Sequence, residues 1–193
     1  MRRAGWIALA IGIALLGISE GEAGSKDAVR RFNAGVELMR QGKIDAAIGE
    51  FRIATQEDPG LAPAHLSLAS ALEKAGRTDE AIAAYKTAVA LDPQNAAALN
   101  NLGVLYMKKD DYDEAIRALE QGLRVDASNA TLRQNLANAQ NNKGIAGERE
   151  ARIAEARRQA EARPTDPRAA YNLGRVYASF YMKDEAFEWL GKA

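Results

Sequence analysis

Asparagine stands at positions 33, 101, 135 and 172 and serine at 67, so the same place recurs at intervals of 34, 34, 34 and 37 residues. A carboxamide carries donors and acceptors together, so a row of amides can clamp the backbone of an extended peptide whatever its side chains. The same amides can instead pack between neighbouring helices. Asparagine is a mediocre helix former, and four in five such places is more than propensity would choose. Other chemistry is sparse. His65 is the only histidine and cysteine is absent, which removes thiol nucleophiles, thiolate zinc sites and disulfides. Asp110, Asp111 and Asp113 fall in a turn and a helix start, where capping accounts for them. No phosphate loop, metal-ligand spacing or nucleophile elbow is present. The expectation is a chain that is not an enzyme and needs no cofactor or metal.

The elements that position the amides follow from a repeat. Small residues recur at Gly35, Ala69, Gly103 and Ala137, each 34 positions after the last. Ala47, Ala81 and Ala115 stand twelve further on, and the large residues Phe51, Tyr85 and Leu119 four beyond those. Ala54, Ala88 and Gly122 follow, and Asp58-Pro59 and Asp92-Pro93 close the unit. The pattern predicts two amphipathic helices per unit. They cross where neither projects a bulky side chain, and the large residue fills the space beside the crossing. Gly42 and Gly76 are placed to end first helices in the left-handed region. Asp45, Asp79, Asp113 and Asp184 suit the positive end of each second helix. Proline then stops the pair.

This spacing is similar to the tetratricopeptide repeat, most closely at Leu102-Gly103 with Tyr106 and at Leu173-Gly174 with Tyr177. The resemblance implies an all-α, right-handed superhelical solenoid of helix-turn-helix pairs whose first helices line a groove that holds peptides or partner proteins. The units run 28–61, 62–95, 96–129, 130–166 and 167–193, after a linker at 24–27. The fourth is degenerate: it carries three extra residues, and Arg149 stands where the close-packing alanine belongs. Its Glu- and Arg-rich stretch from Glu148 to Arg163 reads as an overlong solvated helix or as a docking surface or hinge, with Glu148 and Arg152, and Arg157 and Glu161, spaced for ion pairs. The fifth is incomplete, with Phe187, Trp189 and Leu190 lacking a covering helix. Either the chain continues in a longer protein or that end self-associates.

Lysine plus arginine and aspartate plus glutamate each number 26, so no surplus charge exists to neutralise phosphates, and nucleic acid is not an expected partner. At the N-terminus, Arg2 and Arg3 precede an apolar run from Trp6 to Ile18 and the small residues Gly21 and Ala23. Residues 1–23 therefore read as a secretory signal peptide. The alternative is an uncleaved anchor through residues 4–18, the only membrane attachment expected, although the run is short for a span. The expected location is periplasmic or secreted, in a bacterial envelope, or anchored to the inner membrane.

The candidate groove residues are Asn33, Val36, Asn101, Val104, Asn135, Asn138, Tyr171, Asn172 and Arg175. They grade from apolar in the first unit to polar in the fourth and basic-aromatic in the fifth. The family's two-carboxylate clamp is missing, because Phe32 and Val36, and Leu66 and Ser70, occupy its opening places. Three functions stay open: an adaptor that binds protein or peptide, a self-assembling scaffold that forms homo-oligomers through Phe187, Trp189 and Leu190 or through the charged helix of the fourth unit, or the recognition arm of a larger enzyme.

Overall fold

A computed structural model describes residues 26–193; the expected signal segment lies outside the described residues. The helices are α1 over 26–40, α2 Ile44–Glu57, α3 Ala62–Lys74, α4 Thr78–Leu91, α5 Ala96–Lys108, α6 Tyr112–Val125, α7 Ala130–Ala162, α8 Pro167–Ser179 and α9 Lys183–Leu190. No strand occurs among the described residues. Residues 26 and 27, expected as linker, are already helical. No described helix is long and apolar enough to cross a membrane.

Within a pair, the turn is a left-handed cap repeated in register. Gly42, Gly76, Asp110 and Tyr181 have φ of 75°, 74°, 58° and 60°. Around each, two backbone amides return to the end of the first helix, as Gly76 N–H does to Glu73 and Arg77 N–H to Leu72 at 3.0 and 2.9 Å. These bonds satisfy carbonyls that a helix end leaves open. Between pairs a second device recurs. The carboxylates of Asp58, Asp92, Asp126 and Asp166 accept from the backbone N–H two residues on, at 2.9 to 3.1 Å. Such turns leave the helical path without stranding a backbone donor.

The chain divides at Leu136 and Ala137 into two compact units. In the first, Phe51, Tyr85 and Leu119 are buried at 0, 1 and 0% exposure, with Ala47, Ala81 and Ala115 at 0%. A β-carbon on Gly35 would stand 2.5 Å from the Phe51 ring. Small residues therefore set the helix spacing, as the sequence pattern predicts. The second unit is built from the later part of α7 with α8 and α9. Its core is Ala156, Ala160, Leu173, Tyr177 and Ala186, with Ile153 and Trp189 packed against it.

The fourth unit differs from expectation. Residues 130–162 form one uninterrupted helix of 33 residues and not a helix-turn-helix pair. Gly144, 34 positions after Asp110, occupies the turn place yet is helical. Arg149 supplies a physical reason, since a guanidinium at the small-residue place opposes close approach of a second helix.

Candidate functional site

The amide row begins on α4 and α5. Tyr85 is held by its place at the helix crossing, and its hydroxyl emerges where α3 and α5 flank it. The Tyr85 hydroxyl donates to Glu73 Oε2 at 3.3 Å and accepts from Asn101 Nδ2 at 3.1 Å. Asn100 Nδ2 donates to Asn101 Oδ1 at 3.4 Å, and Asn135 Nδ2 donates to Asn100 Oδ1 at 2.8 Å. Lys108 closes the network from α5, with Nζ 3.4 Å from Glu73 Oε1. The three asparagines are half-buried. Burial, and then the nearby Glu73 carboxylate, push the Tyr85 hydroxyl above the ordinary tyrosine range, while the bond from Asn101 works against the shift. The hydroxyl is therefore a neutral donor at neutral pH.

The network holds hydrogen-bonding groups in fixed directions and contains no activated nucleophile or base pair. Asn101 and Asn135 are brought together through Asn100, with Val104 half-buried on the same helix. Their amides bond between neighbouring helices, one of the two roles left open by the sequence. Glu73 and Tyr85 are site members that sequence reasoning misses. Tyr85 sits at the packing place, which hides its polar end; the 16-residue interval to Asn101 is a usable signal only once the crossing geometry is known.

Asn33 and Val36 lie exposed on α1, Val36 at 44%. Asn138 lies exposed on α7. In the second unit the Arg175 guanidinium sits 5.9 Å from the Tyr171 ring centre. Asn172 and Arg175 line an open cavity of about 580 Å³ with Arg152, Val176 and Ser179. Of the three residues at the chain end, Phe187 is 73% exposed. Trp189 packs on the second core, and a β-carbon on Gly174 would meet Leu190 Cγ at 2.7 Å. His65 is half-buried, its Nε2 3.1 Å from the Pro59 carbonyl oxygen. Among the described residues no group of three or more His, Cys, Asp or Glu side chains could hold a metal.

The sequence profile of the tetratricopeptide repeat matches residues 32–96, 66–130 and 100–167, which together span more than half of the chain. The chain belongs to the tetratricopeptide repeat family. Solved tetratricopeptide repeat structures share the fold. The MamA protein is 23% identical, with a TM-score of 0.59 over 86% of this chain and 90% of its own. YrrB, described as a TPR protein with an unusual peptide-binding site, is 20% identical, with a TM-score of 0.58 over 89% and 87%. The first TPR of Spaghetti (RPAP3), solved bound to the HSP90 peptide SRMEEVD, is 23% identical, with a TM-score of 0.58 over 63% and 95%. No curated protein sequence matches the chain.

Proposed function

We propose that this tetratricopeptide repeat protein is a non-catalytic scaffold that holds an extended peptide or partner segment along the first-helix face of its first compact unit, which ends at Leu136. The observation that carries the reading is the amide chain from the Tyr85 hydroxyl through Asn101 and Asn100 to Asn135. Bonded neighbours fix each carboxamide before a ligand arrives, which reduces the ordering cost of binding. Half-burial lowers the local dielectric and strengthens the bonds made there. Glu73 and Lys108 at the margin favour a ligand that carries both signs of charge. YrrB has a peptide-binding site and the first TPR of Spaghetti holds a bound peptide, and both agree with this use of the fold.

A peptide selected from a random library by the immobilised chain tests the reading by amide-resolved magnetic resonance. The side-chain resonances of Asn101 and Asn135 should shift with peptide concentration. Shifts confined to the opposite side, around Lys86 and Arg117, would contradict it.

Export through residues 1–23 to a periplasmic or secreted location belongs to the same proposal and rests on the charged, apolar and small-residue order of that segment. Terminal sequencing of the cell-derived protein tests it: a start near Gly24 supports cleavage, and an intact Met1 contradicts it. Self-association is the second reading. The exposure of Phe187 favours it, and light scattering across concentrations reads it directly.

A further inference from the structure

The left-handed caps at Gly42, Gly76, Asp110 and Tyr181 each precede a second helix whose large residue lies 16 positions after the small residue of the first. The pairs are Gly35 and Phe51, Ala69 and Tyr85, Gly103 and Leu119, and Gly174 and Leu190. Ala137 and Ile153 keep the same interval, and Gly144 keeps the cap place. The three extra residues of the fourth unit therefore follow the pairing region and leave its register intact. In the uninterrupted α7, however, Ala137 and Ile153 stand about 24 Å apart along the helix, at 1.5 Å per residue. Ala137 is exposed, unlike Gly35, Ala69, Gly103 and Gly174 at the same place.

The cavity of the second unit is the complementary observation. Its lining residues Asn172, Val176 and Ser179 are the counterparts, 71 positions on, of Asn101, Leu105 and Lys108 in α5. Leu105 is 1% exposed in a core to which the preceding pair contributes Leu72 and Tyr85. Val176 is only half-buried and opens into the cavity. Arg152, also in the lining, is the counterpart of Ala118, which is buried at 7%. The cavity thus lies on the side of α8 that a preceding first helix covers elsewhere.

We propose that residues 144–147 are a hinge at which α7 folds into a helix-turn-helix, seating Ile153 on Ala137 and laying residues 137–143 into the cavity beside α8. The straight and folded forms are two states of one element, and switching between them breaks or completes the fourth repeat. Opposing costs balance the states. The straight form carries Gly144 and Gly147 inside a helix, where glycine is less favourable than alanine. It also leaves every residue from 140 to 152 exposed except Ala146, with Ile145 at 58%. The folded form gains the Ile153 seat and a glycine cap free of strain, but must carry Arg149 at the small-residue place, its guanidinium reaching outward past the crossing. Balanced alternatives of this kind make an element bistable. The hinge stands apart from the peptide-binding reading, because its test needs no ligand.

Because the chain has no cysteine, Arg133→Cys and Arg158→Cys accept a pair of spin labels. Along a straight helix these positions lie roughly 37 Å apart. In the folded form, helices packed at 8–10 Å bring the labels within about 20 Å. Pulsed dipolar spectroscopy should show both distances. Arg149→Ala should enlarge the short component, and Gly144→Ala with Gly147→Ala should remove it. A single distance near the straight-helix value in the doubly labelled chain overturns the proposal, as does a short component that the glycine substitutions leave unmoved. The measurement is repeated with labelled protein diluted into unlabelled protein. A short component that survives dilution supports folding within one chain; one that vanishes belongs to exchange between two copies and overturns it.

Discussion

Gly103 faces Leu119 so closely that a β-carbon on the glycine would stand 2.6 Å from Leu119 Cγ. Leu119 is fully buried, so it has little room to give way. Gly49, by contrast, has nothing within 4 Å of where its β-carbon would lie and sits exposed in α2. Opposite outcomes follow from the same kind of change. Gly103→Val should cost about 2 kcal/mol by overpacking, whereas Gly49→Ala should add up to about 1 kcal/mol through helix propensity. Urea denaturation of both variants reads the difference. A Gly103→Val chain as stable as its parent would refute the account of the crossing.

The left-handed turns differ in their residue, and the difference should be measurable. Tyr181 holds φ 60° with its side chain 88% exposed, so it bears the left-handed strain with little packing in return. Tyr181→Gly should raise stability by up to about 1 kcal/mol, the relief of strain exceeding the greater freedom of glycine in the unfolded chain. Gly76→Ala, at φ 74°, should lose about 1 kcal/mol for the converse reason. Thermal unfolding of the two variants should shift in opposite directions.

Alkaline pH should unlock the amide network. The Tyr85 pKa is raised in the folded chain by burial, so the neutral hydroxyl is favoured there over the unfolded state. Its stabilising contribution is fully present below the ordinary tyrosine value of 10.0 and is lost as pH rises through the higher folded value. Stability of the parent chain should therefore fall across that alkaline window more steeply than that of Tyr85→Phe. At neutral pH the variant should be less stable by about 1 kcal/mol, because the bonds to Asn101 and Glu73 are gone. Equal alkaline slopes in denaturation would contradict the placement of the hydroxyl.

The repeat is legible because its physics is local and recurrent. Gly35 and Phe51 announce a crossing by size alone, and Gly42 and Gly76 announce turns by their freedom at positive φ. The turn residues Asp110 and Tyr181 do the same job without that composition, and only register reveals them. Residues 130–162 show the limit of a pattern read place by place. Gly144 and Ala137 satisfy the repeat, yet Arg149 weighs against pairing and the helix runs uninterrupted. Which side prevails depends on a balance of a few kcal/mol that spacing does not encode. At the site, the place shared by Asn101 and Asn135 is visible from their interval, but Tyr85 reads only as packing, so the Glu73 end of the network stays hidden. At the chain end, apolar character marks Phe187, Trp189 and Leu190 alike, whereas the fold leaves Phe187 73% exposed, packs Trp189 on the second core and sets Leu190 against Gly174 with 37% of its surface still exposed.

The central claim is that the amides of Asn101 and Asn135 grip an extended peptide. The most direct measurement is fluorescence anisotropy of a library-selected peptide titrated with the parent chain and with the Asn101→Ala, Asn135→Ala double variant, both verified as folded by circular dichroism. Loss of two backbone-directed hydrogen bonds at about 1 kcal/mol each predicts a fall in affinity of roughly ten-fold or more. Equal affinity for parent and double variant would place the ligand elsewhere and contradict the account.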